Sequence, residues 1–380
     1  MREMPAMTAL MHDHTQLILD GTKIAWHAER VRAWERGERI PPITIDMALT
    51  RACNYGCHFC YAMLQENDRQ VITQKVIYDF LEDCAAIGVK GVSLVSDGES
   101  TISPVFVDTI VRGHQLGLSM ACGTNGLVLN RRKLEEILPH MTYLRINISA
   151  GERQRYAEIM GVKEHWFDRV CDNIREMVAI KRRLGLEVTI GLQMVLMPQY
   201  ADQILPLARL GKELRSDYLI IKHCSDDEDG SLGVDYAAYE AIYDRLRQAE
   251  ALSDEGYRVV VKWSKIKDGH NRGYQRCYGP PFIIQLSGSG LVAPCGMLFN
   301  ERYQKFHIGN ICETRFRDLW ASDRYWEVMN MLAGSDFNAQ TMCGTLCLQH
   351  KINETLDAYV KGRGVIEVPS GPLPQHLAFI

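Results

Sequence analysis

An α/β fold built on a parallel sheet is what this sequence predicts, and three observations carry the prediction. Between residues 43 and 222, short apolar runs of strand character alternate with longer stretches whose apolar residues recur at helical spacing. Strands separated in this way by helices pair in parallel, through right-handed crossovers. The composition, 46% hydrophobic and 24% charged over 380 residues, supplies a sizeable core and room for two or three domains. Periodicity alone leaves open whether the sheet lies flat or curls into a barrel.

The elements follow in order. Residues 1–40 are charged and helical in pattern, most clearly in HAERVRAWERGE, and Pro41-Pro42 ends that extension. Residues 43–49 (ITIDMAL) form the first predicted strand, 73–87 a helix and 91–95 (GVSLV) the second strand. A helix at 104–115, an extended run at 118–122, a helix at 131–138 and a strand at 143–148 continue the alternation. A long helix at 165–184, a strand at 188–196, a helix at 201–214 and a strand at 218–222 complete it. Beyond lies a loop with the acidic run 226–229 (DDED), a helical stretch at 235–251, a hairpin at 282–295 around a Gly/Ser turn, a helical stretch at 314–332 and an irregular tail at 363–380.

Charge excludes some functions. Lys and Arg number 43 against 47 Asp and Glu, which argues against a protein built to hold nucleic-acid backbone. No apolar run approaches the roughly 20 residues that span a bilayer. The first residues lack the apolar core of a signal peptide, so a cytoplasmic protein with no membrane partner is expected.

Twelve cysteines are many for such a chain, and in a reducing compartment they point to metal or catalysis rather than disulfides. Cys53, Cys57 and Cys60 follow directly on the first strand. Three thiolates on one loop can hold three irons of a cubane cluster and leave the fourth open. Structural zinc, the competing occupant, wants four closed ligands.

The stretch RACNYGCHFCYA resembles the motif of the radical S-adenosylmethionine (radical SAM) superfamily, with Phe59 as the aromatic residue before the third cysteine. The resemblance covers residues 41–225 and implies a partial (β/α)6 barrel. It also implies a [4Fe–4S] cluster whose open iron chelates S-adenosylmethionine, and reductive cleavage to a 5′-deoxyadenosyl radical that abstracts hydrogen from a substrate. An electron donor such as flavodoxin or ferredoxin is implied as partner. Gly98 and Glu99 match the family's Gly-Gly-Glu-Pro turn, whereas Asp97 and Ser100 depart from it; a carboxylate there would accept from the ammonium of S-adenosylmethionine. Asn125 lies in a Thr-Asn-Gly turn of the kind that lines such sites, or in a plain Asn-Gly turn. Ser149 stands where the family places a ribose-binding hydroxyl. Gln193 is expected to reach the carboxylate or ribose, or to pack inward, and Tyr61 to flank the adenine.

Cys277, Cys295, Cys343 and Cys347 resemble the ligands of a SPASM/twitch auxiliary-cluster domain. Gly290 sits ahead of Cys295, and the run His307-Ile308-Gly309-Asn310 and Leu319-Trp320 fit the same pattern. The full domain uses about seven cysteines for two clusters. Only Cys312 joins these four after residue 270, so one auxiliary [4Fe–4S] cluster is expected, with zinc as the alternative and Cys312 as a buried spare. The domains expected are an N-terminal extension (1–40), the core (41–225), a helical connector (226–275), the auxiliary-cluster domain (276–350) and a tail (351–380).

Cys84 and Cys171 read as core residues of helices. Cys122 and Cys224 end the third and sixth strands, where barrel sites gather, and either thiol is a candidate to return a hydrogen atom to a substrate radical. His223 is the one histidine placed beside such a thiol. If the acidic run faced the mouth, it would suit a substrate bearing ammonium groups. The function expected is hydrogen abstraction from a carbinol C–H of a sugar- or aminocyclitol-type small molecule, giving dehydrogenation or epimerisation. A peptide- or protein-modifying enzyme is the first alternative. A non-catalytic iron–sulfur or zinc scaffold is the second.

Overall fold

The computed structural model describes residues 21–269, 271–343 and 347–380. The part of the N-terminal extension at 1–20 lies outside the described residues. The strands are β1 (Thr44–Met47), β2 (Gly91–Leu94), β3 (Ser119–Thr124), β4 (Tyr143–Asn147), β5 (Thr189–Leu196), β6 (Tyr218–His223), β7 (Arg258–Val261), β8 (Ile283–Leu286), β9 (Leu291–Ala293) and β10 (Gly309–Asn310). The helices of the core are α1 (Ala28–Glu35), α2 (Gln74–Ile87), α3 (Phe106–Gln115), α4 (Arg131–Ile137), α5 (Arg153–Met160), α6 (His165–Leu184) and α7 (Ile204–Glu213). After β6 come α8 (Tyr243–Glu250), α9 (Trp263–Asp268), α10 (Phe316–Ala321), α11 (Asp323–Ala333), α12 (Ala339–Met342) and α13 (His350–Val360). Local chemistry sets several ends: the Thr73 hydroxyl accepts from the Val76 amide to start α2, and Gly88, at φ +95°, lets the chain leave it.

All strands join one sheet in the order β10-β9-β8-β1-β2-β3-β4-β5-β6-β7, parallel from β8 to β7 and antiparallel through β8, β9 and β10. In a flat sheet β1 and β6 would stand about 24 Å apart, at roughly 4.8 Å per strand. Yet Asp46 on β1 and Lys222 on β6 feel each other's charge, so the sheet curls and brings these faces together. Two features differ from expectation. The segment read as a helical connector contains β7, a four-residue run (RVVV) that extends the sheet beside β6. The hairpin is continuous with the core, because β8 pairs with β1.

Strand register sorts the two faces. Met120 on β3 packs against Gly113 of α3, on the helix side. The opposite face carries Asp46, Ser93, Gly123, Arg145, Asn147, Gln193, Val195, Lys222 and Gln285, paired across neighbouring strands. The irregular tail closes the end of the barrel where the strands begin. Thr44 Oγ1 donates to the Ala378 carbonyl at 2.8 Å, Lys23 Nζ to the His376 carbonyl at 2.8 Å, and the Phe379 ring meets Tyr143 edge-on. Access is thereby directed to the opposite end. No helix among the described residues is long and apolar enough to cross a membrane.

Candidate functional site

The loop after β1 carries Cys53, Cys57 and Cys60 to the rim of a cavity of about 730 Å³, together with Phe59, Asp97, Gly98, Glu99, Asn125 and Asn147. That volume falls in the range of small-molecule sites, roughly 300–1,000 Å³. Burial pushes the Cys57 thiol well up, and the neighbouring Cys60 and Cys53 push it further. A metal centre held between them would reverse this, because a coordinating thiol binds as thiolate.

The turn after β2 is shaped to reach this loop. Gly98 adopts φ +74°, and a Cβ there would overlap the Thr50 carbonyl oxygen. The Glu99 amide donates to the Ala52 carbonyl at 2.9 Å. The Glu99 carboxylate accepts from Thr101 Oγ1 at 2.6 Å, Thr124 Oγ1 at 2.7 Å and the Asn125 amide at 2.8 Å. Its orientation is thus fixed by the ends of β2 and β3 while it lines the cavity. Asn125 Nδ2 donates to Asn54 Oδ1 at 2.7 Å, which ties the cysteine loop to β3.

Asp97, where the sequence leaves the Gly-Gly-Glu-Pro pattern, has a different task. Its carboxylate accepts from Ser287 Oγ at 2.6 Å and the Gly288 amide at 2.7 Å, with Arg51 Nε at 3.5 Å. It latches the β8–β9 turn onto the cysteine loop, and burial pushes its carboxyl up.

A second cysteine group forms where β9 ends and α12 and α13 converge. Burial raises Cys277, and Cys347, Cys343 and Cys295 add to the effect. Cys343, raised by burial and by Cys347, reaches about 12. Asn353 Nδ2 donates to Cys277 Sγ at 3.5 Å and Cys347 Sγ at 3.7 Å, a contact suited to thiolate sulfur. Zinc–thiolate bonds of about 2.3 Å draw tetrahedral sulfurs to about 4 Å from one another. Among the described residues, Asp268, His350 and Glu354 form the one trio of such ligand atoms all within 4.8 Å. Neither cysteine group brings three sulfurs within 4.8 Å of one another.

Several expected residues stand elsewhere. Cys122 is fully buried and shares the helix-side face with Met120, so its thiol points away from the inward face. Tyr61 is absent from the cavity lining; its hydroxyl approaches Gly296, and it feels Cys295 and Cys60, placing it between the two cysteine groups rather than over an adenine. Ser149 Oγ accepts from the Val195 amide at 3.2 Å, and Gln193 donates to Asn147 Oδ1 at 2.7 Å; neither lines the cavity. The acidic run does not face the mouth: Asp226 and Asp227 cap their own loop, while Glu228 and Asp229 pair with Arg302. Cys312 is half-buried rather than buried, against the carbonyls of Ser289 and Val71. His223 faces Tyr236 and Tyr239 on the outer side, and burial brings it down to about 3, so it stays neutral.

Cys224 is buried and does not line the cavity, but it packs against the cysteine loop. Its Sγ donates to the Phe59 carbonyl at 3.6 Å and the Ser225 carbonyl at 3.3 Å, and burial raises it to about 12, so it remains a thiol. The sequence reading missed the polar residues on the inward face of the sheet. On the inward face Asp46, Gly123, Arg145, Asn147, Val195 and Lys222 are partly exposed, whereas the helix-side residues of these strands are buried. The charged residues inside the apolar runs ITIDMAL and YLIIK were the available signal.

Comparison with known proteins defines the class. Residues 47–210 match the radical SAM superfamily, and residues 277–347 match the SPASM iron–sulfur cluster-binding domain. The chain belongs to the radical SAM superfamily and carries a SPASM-type auxiliary-cluster domain. Its cofactors are accordingly S-adenosylmethionine and [4Fe–4S] clusters. A probable GTP 3′,8-cyclase of Saccharolobus islandicus is 27% identical over 170 residues, 44% of this chain and 52% of that protein. The chain thus spans about half the length of the cyclase relatives it matches. An AdoMet-dependent heme synthase of Methanosarcina barkeri is 23% identical over 77% of this chain and 82% of its own length. In structure, SuiB of Streptococcus suis bound to S-adenosylmethionine superposes with a TM-score of 0.62 at 17% identity, over 86% of this chain and 77% of SuiB. The protein anSMEcpe, with bound AdoMet and a peptide, gives 0.57 at 16% identity, over 77% and 84%.

Proposed function

We propose that this enzyme abstracts a hydrogen atom from a carbinol C–H of a sugar- or aminocyclitol-type molecule and returns one from Cys224, an epimerisation. The observation that carries the reading is the set of polar groups on the inward face of the sheet, Asp46, Arg145, Asn147 and Lys222, each partly exposed, with Asn147 reaching the cavity itself. Such a set of donors and acceptors suits a small, densely hydroxylated substrate. Cys53, Cys57 and Cys60 would hold the first cluster, and Cys277, Cys295, Cys343 and Cys347 the auxiliary one. Together with S-adenosylmethionine, the first cluster supplies the 5′-deoxyadenosyl radical.

The chain's own residues arrange the rest. Glu99, oriented by Thr101, Thr124 and Asn125, accepts from the cofactor's ammonium. Cys224 keeps its proton at neutral pH, as a hydrogen-atom donor must. When its S–H hydrogen passes to the substrate carbon, the sulfur is left needing one electron and one proton, which a flavodoxin- or ferredoxin-type donor and solvent provide. A second reading, dehydrogenation to the ketone, is favoured by the four-cysteine group, which offers an acceptor for the remaining electron. Anaerobic turnover of candidate sugars and aminosugars, free and phosphorylated, in deuterated water separates the two. Deuterium gained at one carbon supports epimerisation, and loss of two mass units supports dehydrogenation. Unchanged turnover in Cys224→Ala removes this thiol from the reaction.

A further inference from the structure

Lys222 is a charged residue at a place that a barrel core would ordinarily fill with an apolar one. Its register partner is Val195, and Val195 in turn bonds through its amide to Ser149, so Lys222 lies on the inward face level with these residues, two residues before Cys224. It is partly exposed, on the inward face. Four groups act on its amine: Arg145 from β4, Lys265 from α9, Asp46 from β1 and Cys224 beyond β6. Two are cations, one is a neutral thiol, and one is the carboxyl of Asp46. That carboxyl already accepts from Gln285 at 3.1 Å and also faces Arg145. Among the described residues neither Lys222 nor Arg145 has a carboxylate within the 4.0 Å of an ion pair. Arg145 leans on the Tyr143 ring at 5.6 Å, and its Nε has no hydrogen-bond partner. This part of the inward face therefore carries two basic side chains, Lys222 and Arg145, against the single carboxyl of Asp46, which forms an ion pair with neither. Charge shielded from water is costly in proportion to that shielding unless it is paired. Burial, then Arg145 and Lys265, bring the Lys222 amine down to about 7, as expected where a counter-charge is missing.

We propose that Lys222 contacts the substrate directly and that the group it takes is an anion, a carboxylate or phosphate carried by the substrate. The inference rests on the small-molecule reading above and narrows it to anionic members of that class.

The test is equilibrium binding to the anaerobically reconstituted enzyme with S-adenosylmethionine present, by calorimetry. The probes are inorganic phosphate, glucose 6-phosphate, glucuronate, glucose and glucosamine. Wild-type protein is expected to bind glucose 6-phosphate or glucuronate at least tenfold more tightly than glucose. The better of the two identifies the phosphate or the carboxylate. Lys222→Met and Lys222→Gln should each lose that preference, and Lys222→Arg should keep most of it. Circular dichroism establishes that the variants fold, and two neutral variants guard against one failing. Equal binding of glucose and the anionic probes, tighter binding of glucosamine, absence of anion binding, or an unchanged preference in both neutral variants would overturn the proposal. Failure of the radical reading is seen separately, as wild-type protein that forms no 5′-deoxyadenosine.

Discussion

Replacing Asp97 by Ala removes the latch between the core and the hairpin, and the structure sets the size of the effect. Two hydrogen bonds to a carboxylate are lost, from Ser287 Oγ at 2.6 Å and from the Gly288 amide at 2.7 Å. Each is worth roughly 1.5–3 kcal/mol when the acceptor is charged. Part of that is returned, because the buried carboxylate no longer has to be desolvated. Arg51, at 3.5 Å, is too distant to add much. A net loss of about 3 kcal/mol is expected, which at 1.4 kcal/mol per tenfold is about a hundredfold in a local opening equilibrium. The readout is hydrogen–deuterium exchange of the 283–293 hairpin, since a global unfolding curve for so large a chain need not be two-state. Exchange there should quicken about a hundredfold in Asp97→Ala, with the α6 amides little changed. Asp97→Asn should be milder, at about 1 kcal/mol, because Asn keeps one oxygen for the Gly288 amide and its amide nitrogen can donate to Ser287 Oγ. Gly288 lies flush on the backbone of Thr50 and Arg51, where a Cβ would overlap it. A loosened hairpin therefore disturbs the cysteine loop, and S-adenosylmethionine cleavage should fall as well. Hairpin exchange within about threefold of wild type in Asp97→Ala would refute the latch.

Three other outcomes are expected. Gly98→Ala, strained at φ +74° and overlapping the Thr50 carbonyl, should lose the first cluster while keeping the auxiliary one, as iron and sulfide analysis would show. Cys277→Ala should do the reverse, removing about one cluster's iron and leaving S-adenosylmethionine binding intact; unchanged iron would disprove the assignment. Burial raises Asp46 from 3.8 to about 6, so the folded chain holds that proton more tightly than the unfolded one. The stabilisation is complete below pH 4 and is lost as pH rises through 6. It amounts to at most about 3 kcal/mol, less where water reaches the inward face. Asp46→Asn should flatten that part of the thermal-stability profile between pH 4 and pH 7.

The elements and both cysteine groups were legible because each leaves a local signature: helical spacing, apolar runs, and thiols too closely set for ordinary packing. What escaped was decided by partners distant in sequence. The run RVVV at 258–261 is too short to announce a strand, and becomes one only beside β6. Cys122 and Cys224 look alike in sequence as thiols at strand ends. Register turns the first toward Met120 and the helices, and the second toward Phe59. Tyr61 looked like an adenine neighbour because it adjoins Cys60; the folding of Cys295 and Gly296 onto it could not be read locally. Asp97 looked like a deviation from a motif until Ser287 and Gly288 arrived beside it from 190 residues away.

The most direct test of the account asks whether the trio on the first loop leaves an iron free for the sulfonium cofactor. Anaerobically reconstituted wild-type protein, given S-adenosylmethionine and a low-potential reductant, should form 5′-deoxyadenosine and methionine. Cys57→Ala, with its four auxiliary cysteines intact, should form neither. Equal product from the two proteins, or none from a wild type fully loaded with iron, would contradict it.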